Sequence, residues 1–575
     1  MQLHQYTLTA LLTPYNQTLK VPYFQRCYQW TEEHWEDLMS DIFHCYGKNY
    51  LQNISYPHFM GPVVLQSHGN VFTIIDGQQR LTSMSLLLLA FSKWLRDNEP
   101  ANTFLIETTI RQFLLINTNQ TNAILRLTPT EQLNNRDIYT QLINDVYNFM
   151  PFVNANILNG ESQLEKAVSY FYKIISEEKS KIGDNGLFSN NLFRTITENM
   201  KFIGIVLDAN EDANTVFETL NARGKPLESG DLIRNYIFMN ENHRNFYSAR
   251  WQPLENFFNQ RDQSQNLVNG EFADFLRYYL IANGKKFAKN ENYYSEFKEA
   301  IEEDVENSRL NDLFTKLENS KEYYEYVFHP EKIPNQISAV TVNCIKLIKQ
   351  MNLSVFTSIF MYLFSLSKSG IISNHDLEII SKKIVSYSLR LKFGGRKTPS
   401  NKNIIVFRQK IEENINNVEM IDEFIFNISD NDTFKQNIIR KDIYTGANSR
   451  FLTQLLCTII QANDNHVMAP ISPTIEHVFP QNPDVSWRNE LSEEEYSENE
   501  QYRNTLGNLT VVNQSLNSAL SNSCFSSKRQ VLNDYSIWPY ERAEFFNNET
   551  VQKWNAAIIK RRSEYLANKI IEFFS

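Results

Sequence analysis

The stretch Glu476-His477-Val478-Phe479-Pro480-Gln481, followed by Asn508 and then by Asn517 nine positions later, decides how the C-terminal part of this chain is interpreted. An imidazole titrates near neutral pH and is suited to act as a general base. Carboxylate and carboxamide oxygens are the hard ligands that Mg²⁺ or Mn²⁺ prefers. A single histidine beside a glutamate is usually structural, but Pro480 and two asparagines in this order favour a functional site.

These residues fit the hydrolysis of a phosphodiester, which needs a divalent cation, a base that activates water, and a group that orients the base. His477 is the candidate base, and Glu476 and Asn517 are the candidate metal ligands. Asn508 is expected to orient the loop that carries His477. With so few protein ligands, the metal would keep positions for water and phosphate.

A second motif, Asp76-Gly77-Gln78-Gln79-Arg80, lies where a predicted strand turns into a predicted helix. Gly77 allows a tight turn, and the first N–H groups of the helix favour an anion above it. Arg80 offers a planar cation for phosphate oxygens, while Asp76, Gln78 and Gln79 can hold water, a metal or phosphate. On chemistry alone the signal is weak, since a capped helix with an exposed arginine is the default alternative.

Further polar residues beside predicted loops are candidates for the same N-terminal pocket: Gln25, Arg26, Asn221, Arg223, Lys225, Asp231 and Arg234. For each of them, a surface ion pair or a helix cap is an equally supported interpretation. The chain has no Gly-x-x-x-x-Gly-Lys-Ser/Thr sequence and is therefore not a P-loop enzyme.

Both motifs resemble those of GmrSD-like modification-dependent restriction endonucleases. The C-terminal similarity covers about residues 465–565 and also has the order of ββα-metal HNH nuclease domains; it is carried by Ile475–Gln481, Leu506–Thr510, Asn517 and Ser521–Lys528. The N-terminal similarity covers about residues 10–240 and resembles the regulatory half of that family, whose core is similar to the ParB/sulfiredoxin fold; it is carried by Val21–Arg26, Asp76–Arg80 and Phe217–Arg234.

The chain departs from the family pattern at Cys27, where proline is common, at Ser83, where threonine is usual, and at Glu476, where many HNH sites have aspartate. The first two changes remove no charged group. The longer side chain of Glu476 could shift a bound metal.

The resemblance implies binding and hydrolysis of a nucleoside triphosphate at the DGQQR turn. It also implies cleavage of double-stranded DNA at the HNH site, with modified phage DNA as the expected substrate. It implies Mg²⁺ or Mn²⁺ as the metal and Lys528 as a phosphate contact. A densely basic segment that includes Arg396 and Lys397 is a further candidate for DNA binding, with a solvated loop as the equal alternative. The Lys560-Arg561-Arg562 run is interpreted mainly as a solvated helix face, with DNA contact as the less favoured alternative.

Composition places the chain among globular proteins of several domains: it has 575 residues, 42% of them hydrophobic and 21% charged. A net charge of −10 argues against a surface coated in basic residues, although a local basic groove needs only a few lysines and arginines. The five scattered cysteines predict neither disulfides nor a thiolate zinc site. No signal peptide or membrane span is expected, so the predicted location is the cytoplasm.

The predicted fold is multidomain and mainly α with α/β parts: a ParB-like domain over 1–240, a helical spacer over 241–464 and an HNH domain over 465–575. Predicted local elements include a helix capped by Thr31, a hairpin over 61–76, a strand over 201–207 and a closing amphipathic helix from Val551 to Phe574.

The favoured hypothesis is a nucleotide-controlled, metal-dependent DNA endonuclease that restricts foreign DNA, with homo-oligomerisation left open. The alternative is a nucleotide-regulated DNA-binding protein whose nuclease site is silent. A third hypothesis is that Asp76–Arg80 contacts DNA phosphates without hydrolysing a nucleotide.

Overall fold

The computed structural model describes the chain apart from residues 1, 15, 117–122, 148–159, 184–186, 210, 212, 222–228, 265, 285–292, 307–308, 394–400, 416, 418–419, 464–471 and 536–541. Contacts divide the chain into two compact units, Met1–Arg250 and Trp251–Ser575. The predicted boundaries at 240 and 464 stay predictions. Among the described residues, no helix combines the length and the apolar character needed to cross a membrane.

The first unit is an α/β structure with eight strands and ten helices in its described part. Its strands are β1 Gln2–Thr7, β2 Thr18–Lys20, β3 His58–His68, β4 Val71–Asp76, β5 Leu115–Ile116, β6 Ile124–Leu125, β7 Leu127–Thr128 and β8 Met200–Leu207. Its helices are α1 Leu8–Leu12, α2 Glu32–Tyr46, α3 Gln78–Asn98, α4 Thr103–Thr108, α5 Asn135–Val146, α6 Gln163–Ile182, α7 Phe188–Arg194, α8 Ala213–Asn221, α9 Ser229–Phe238 and α10 Arg244–Phe246.

A mixed sheet of order β1-β8-β3-β4-β2-β7 organises this unit. The pairs β1–β8 and β3–β4 are antiparallel, whereas β3–β8, β2–β4 and β2–β7 are parallel. One face of the sheet packs on the main core, to which α2, α3 and α6 contribute. The opposite face carries a smaller cluster with residues of α8 and α9. The α/β character expected for this part is confirmed.

Helix α3 owes its position to its apolar sequence and to Gly77 before it. Fourteen of its residues are buried, so it packs on nearly all sides. Gly77 has a φ of +92°, and a Cβ there would lie 2.7 Å from Cγ1 of Val63. Only glycine tolerates both this conformation and this approach, which fixes the turn between β4 and α3.

The second unit is helical apart from one short hairpin in its described part. Its helices are α11 Gln252–Phe258, α12 Phe272–Ala282, α13 Tyr294–Glu306, α14 Leu310–Phe328, α15 Ala339–Gln350, α16 Thr357–Lys368, α17 Asn374–Phe393, α18 Asn401–Glu413, α19 Met420–Phe426, α20 Asn431–Arg440, α21 Ser449–Asn463, α22 Trp487–Glu490, α23 Glu493–Gln501, α24 Gln514–Leu520, α25 Phe525–Tyr535 and α26 Ala556–Phe574. Its strands are β9 Pro473–His477 and β10 Leu509–Asn513.

Strands β9 and β10 pair antiparallel, and α24 follows β10 directly, which gives the predicted ββα arrangement. His477 lies opposite Leu509, and Glu476 lies opposite Thr510. The residues after the hairpin strands contribute to a hydrophobic core of the second unit that includes Phe479, Trp487, Phe525 and Trp554.

The predicted local elements are confirmed except at the C-terminus. A capping box of Thr31 and His34 begins α2, and the hairpin and the strand over 201–207 are present. The last helix does not start at Val551 but at Ala556, after its cap Asn555. The Asn555 side chain accepts the Ile558 N–H at 3.2 Å, and this cap outweighs the apolar periodicity that suggested an earlier start.

Candidate functional site

Asn508 fixes the loop that follows His477. Its Oδ1 accepts the Phe479 N–H at 2.8 Å and the indole N–H of Trp554 at 3.0 Å. Its Nδ2 donates to the carbonyl oxygens of Phe479 and Arg503, both at 2.8 Å, and its own carbonyl accepts the Val478 N–H. The side chain is completely buried. Every hydrogen-bonding position of the amide group is therefore used, and the loop has one defined conformation.

His477 ends β9 in a largely buried environment. Its ring is nearly perpendicular to the Tyr444 ring, at a centroid distance of 4.5 Å, and its Nε2 lies 3.5 Å from Nε2 of Gln481. Burial lowers the pKa of His477 to about 4, and the nearby charges of Lys528 and Arg503 lower it further, whereas a hydrogen bond to the Asn504 side chain raises it. The imidazole is therefore neutral at pH 7, which is the form a general base needs.

Glu476 forms a buried ion pair with Lys528. The Lys528 ammonium lies 2.5 Å from Oε1 of Glu476 and also donates to the His477 carbonyl oxygen at 3.0 Å. The exposed fractions of the two side chains are 6% and 0%. Burial raises the pKa of Glu476 and lowers that of Lys528, while the attraction between the two opposes both shifts. The predicted phosphate contact of Lys528 stays a prediction, and it would require this pair to open.

Asn517 lies on α24 and binds β9 next to Glu476. Its Nδ2 donates to Oγ1 of Thr474 and to the Ile475 carbonyl oxygen, both at 2.9 Å. Both donor positions are thus used on the protein, so the amide oxygen is the atom suited to a metal.

The ligand types at this position fit a hard divalent cation. Glu476 supplies a carboxylate and Asn517 an amide oxygen, whereas no group of three or more His, Cys, Asp or Glu side chains converges anywhere in the described part of the chain. A metal held by two protein oxygens would complete its shell with water and phosphate, as Mg²⁺ commonly does. The Lys528 ammonium is a competing cation for the same carboxylate.

Helix α26 supports the site through Arg562, contrary to both interpretations of the Lys560-Arg561-Arg562 run for this residue. Arg562 is buried, and its guanidinium donates to the carbonyl oxygens of Gly507 and Leu509, both at 2.7 Å. Lys560 instead pairs with Glu498 on the surface. A Cβ at Gly507 would lie 1.9 Å from the Ile559 carbonyl oxygen, so the start of β10 requires glycine beside this helix.

In the first unit, the ends of the DGQQR turn are joined by Asp76 and Arg80. Nη2 of Arg80 lies 3.6 Å from Oδ2 of Asp76, and Nη1 donates to the Met60 carbonyl oxygen at 3.1 Å. Burial lowers the pKa of Arg80, against the attraction of Asp76. Gln78 is half-buried and has no side-chain hydrogen bond to a described residue, so it is available to a ligand.

Gln79 and Gln25 hold the preceding loop against this turn. Gln79 accepts the Gln29 N–H at 2.9 Å and donates to the Cys27 carbonyl oxygen at 3.0 Å. Gln25 is buried and donates to the carbonyl oxygens of Ile74 and Ile75 in β4. In this geometry both glutamines position the backbone, and a direct contact with a nucleotide stays a prediction.

Arg26, Asp231 and Arg234 form one ion-pair cluster that joins the loop to α9. Nη1 of Arg26 lies 3.9 Å from Oδ2 of Asp231, and Arg234 binds the other oxygen of that carboxylate. A cavity of about 570 Å³ adjoins the loop at Cys27–Gln29 and reaches the first residues of α5 and α6. Another, of about 460 Å³, lies on the α8–α9 side of the sheet and does not include the DGQQR turn.

Several predicted site residues fall where the structure gives no side-chain account. Arg223, Lys225, Arg396 and Lys397 lie outside the described residues, and of Asn221 only the backbone, at the end of α8, is described. The described neighbours of the basic segment belong to the core: Arg390 is buried and donates to the Ser429 carbonyl oxygen, and Phe393 packs near Phe451.

Sequence reasoning missed Tyr444, Thr474 and Trp554 as partners of His477, Asn517 and Asn508, respectively. Tyr444 lies 33 positions before His477, and no local pattern connects the two. Thr474 could have been suspected, because it alternates with Glu476 on one face of the same strand.

Comparison with protein-family models matches residues 8–238 to the N-terminal domain of GmrSD restriction endonucleases and residues 428–569 to the C-terminal domain of these enzymes. The second match begins upstream of the hairpin, at α20. No curated protein matches the chain.

Replacing Asn508 should loosen the loop after His477. In Asn508→Ala, three buried polar groups and one partly buried polar group lose a partner. We expect a loss of about 3 kcal/mol or more in the free energy of unfolding of this region. Hydrogen exchange of the Val478 and Phe479 amides measures it. Asn489→Ala, an exposed carboxamide of the same unit, is the control; similar protection in both variants would contradict the role of Asn508.

The Glu476–Lys528 pair should behave as a coupled buried pair. Lys528→Met leaves a buried carboxylate without its cation, and we expect a cost of about 3–5 kcal/mol, much of it recovered in Glu476→Gln/Lys528→Met. Hydrogen exchange across β9 provides the local opening free energies. The exposed pair Glu498–Lys560, changed in the same way, should show about 1 kcal/mol or less; additive costs at Glu476 and Lys528 would refute the coupling.

Proposed function

Because the chain belongs to the GmrSD restriction endonucleases, and so is a DNA endonuclease of a restriction system, we propose that it cleaves DNA at an HNH site built on β9, β10 and α24. The observation that carries this proposal is the loop after His477, which the Asn508 side chain holds through four hydrogen bonds. We also propose that the substrate is foreign, modified phage DNA in the cytoplasm, which rests on the family relationship.

Each residue of the motif has a role in this proposal. His477 takes the proton of the attacking water at an imidazole nitrogen, which its low pKa keeps unprotonated. Asn508 is a positioning residue, since it acts on the backbone after His477. Tyr444 limits the rotation of the imidazole by edge contact.

Glu476 and Asn517 would hold Mg²⁺ or Mn²⁺ through one carboxylate and one amide oxygen. When bound, such an ion stabilises negative charge on the phosphate and on the leaving oxygen. Thr474 and the Ile475 carbonyl fix the Asn517 amide, so that its oxygen is presented in one orientation.

The N-terminal unit is proposed to bind and hydrolyse a nucleoside triphosphate and thereby to control cleavage. The support comes from the DGQQR turn, where a helix N-terminus, Arg80 and the available Gln78 adjoin a loop held by Gln25 and Gln79. Arg26, Asp231 and Arg234 carry one net positive charge beside it, which favours a polyphosphate.

A nucleotide-regulated DNA-binding protein with a silent nuclease site is the second candidate. The Glu476–Lys528 pair favours it, because the proposed metal ligand already has a buried cation beside it.

DNA cleavage tests the nuclease proposal directly. Purified protein with Mn²⁺ or Mg²⁺ and a nucleoside triphosphate should nick DNA from at least one phage of a panel with differently modified genomes, and EDTA should abolish the nicking. His477→Ala should lower the rate by about 10²–10⁴-fold, since it removes the general base. His375→Ala, an exposed histidine on α17, is the matched control.

The nicking rates of His477→Ala and His375→Ala, together with a DNA-binding measurement, distinguish the nuclease from a DNA-binding protein with a silent site. Equal nicking by the two histidine variants would refute the role of His477. DNA binding without cleavage under every metal, nucleotide and DNA modification would favour the silent-site candidate.

Phosphate release tests the nucleotide proposal. Asp76→Ala and Arg80→Ala should each reduce nucleoside triphosphate hydrolysis by about tenfold or more, because each removes one side of the charged pair at the turn. Asp37→Ala on the exposed face of α2 is the control. Equal background release from wild type and Asp76→Ala would refute hydrolysis at this turn and leave the contact with DNA phosphates as the surviving hypothesis.

A further inference from the structure

A polar groove lies beside β9 in the second unit, and we propose that it binds the sugar-phosphate backbone of one DNA strand leading to His477. This groove, here called the β9 groove, is lined by residues of α15 and α21, by Tyr444 and by Pro473–Ile475, and has a volume of about 600 Å³. The inference rests on the proposed nuclease function and adds to it a surface that, apart from Ile475, lies outside the motifs quoted above.

The charge of the groove favours a polyanion. Lys346 from α15 and Arg450 from α21 line it, and none of its lining residues is acidic. Within the described part of the chain, neither cation has an ion-pair partner. In a chain with a net charge of −10, two cations in an acid-free groove form a distinct local field. Arginine and lysine are the usual partners of DNA phosphates.

Neutral polar groups complete the lining. Ser449 and Thr453 contribute hydroxyls, and Asn343 and Gln454 contribute carboxamides. Three of these groups already donate within the protein: Ser449 to the Gly446 carbonyl oxygen, Thr453 to the Ser449 carbonyl oxygen, and Gln454 to Oδ1 of Asn343. The phosphate contacts of the groove therefore fall to Lys346 and Arg450, which carry no base-sequence information. The groove is therefore suited to position DNA rather than to select its sequence.

The groove is continuous with both parts of the nuclease site. Tyr444 lines it and meets the His477 ring at 4.5 Å. Thr474 lines it and accepts a hydrogen bond from Asn517, the proposed metal ligand. A DNA strand in the groove would thus contact Tyr444, which touches the proposed general base His477, and Thr474, which binds the proposed metal ligand Asn517.

The volume of the groove is compatible with this ligand. A volume of about 600 Å³ is enough for a short stretch of one strand.

Salt-dependent DNA binding tests the proposal. His477→Ala protein in EDTA is titrated against a fluorescent duplex and against one of its single strands at several NaCl concentrations, with anisotropy as the readout. Adding Lys346→Ala/Arg450→Ala should weaken binding and flatten the slope of log K against log salt, by about 1.8 on duplex or about 1.4 on single strand if both contacts are lost.

Matched variants decide the outcome. Lys435→Ala/Arg440→Ala on α20 removes the same charge outside the groove and should leave the slope within about 0.5 of the parent, and Lys346→Arg/Arg450→Lys should retain it. An unchanged slope in the groove variant, with parent binding intact, overturns the groove and leaves the nuclease proposal standing. A parent that binds neither form of DNA at low salt overturns both.

Discussion

The region around β9 and β10 depends on one buried carboxamide, that of Asn508. Asn508 joins three segments that are distant in sequence: the loop at Phe479, the turn at Arg503 and the indole of Trp554. A buried amide that satisfies all its partners is stabilising, whereas a partly satisfied one is costly, so the segments have to be correctly placed together. Gly507 and Arg562 stabilise the same region. Gly507 lets α26 pack closely because it has no Cβ, and Arg562 of α26 donates a hydrogen bond to the Gly507 carbonyl oxygen. The position of His477 is thus a consequence of packing that lies behind it.

Burial has opposite effects on the pKa values of the neighbouring residues His477 and Glu476: it lowers the first and raises the second. At His477 the loss of solvent keeps the imidazole neutral, so that a base there starts unprotonated, but the same lowering of its pKa weakens its affinity for a proton. At Glu476 the same burial would neutralise the carboxyl, and Lys528 opposes this by supplying a positive charge at 2.5 Å. A metal ion at Glu476 would take over that electrostatic role. Lys528 can therefore be understood as a cation that keeps the carboxylate ionised, with a second role at phosphate only after the pair opens.

The sequence predicted those parts of the structure that depend on local chemistry. The cap at Thr31, the hairpin ending at Asp76 and the ββα order around His477 follow from turn residues, periodicity and motif spacing. The parts that depend on distant contacts could not be predicted. Arg562 belongs to a basic run, which suggests an exposed side chain. In the structure it is buried and donates to the Gly507 carbonyl oxygen. Lys528 looks like a surface cation until β9 places Glu476 beside it. Tyr444 has no signal in the sequence, because its role comes from tertiary packing alone.

The five residues Asp76–Arg80 of the N-terminal motif divide into residues that shape the backbone and residues that are placed to meet a ligand. Gly77 and Gln79 shape the backbone: the first permits the turn, and the second binds the loop at Cys27 and Gln29. Arg80 is held by an ion pair with Asp76 and by a hydrogen bond to the Met60 carbonyl oxygen. These contacts restrict its side chain and place its charge beside the first turn of α3. Gln78, at the start of that helix, is the member of the motif without a side-chain partner among the described residues. If an anion binds over this turn, the helix N–H groups and Gln78 meet it first, and Arg80 acts on it as a fixed charge. The hydrogen bonds therefore favour different roles for these two adjacent glutamines. Gln78 is placed to contact a ligand, whereas Gln79 holds the backbone of the preceding loop.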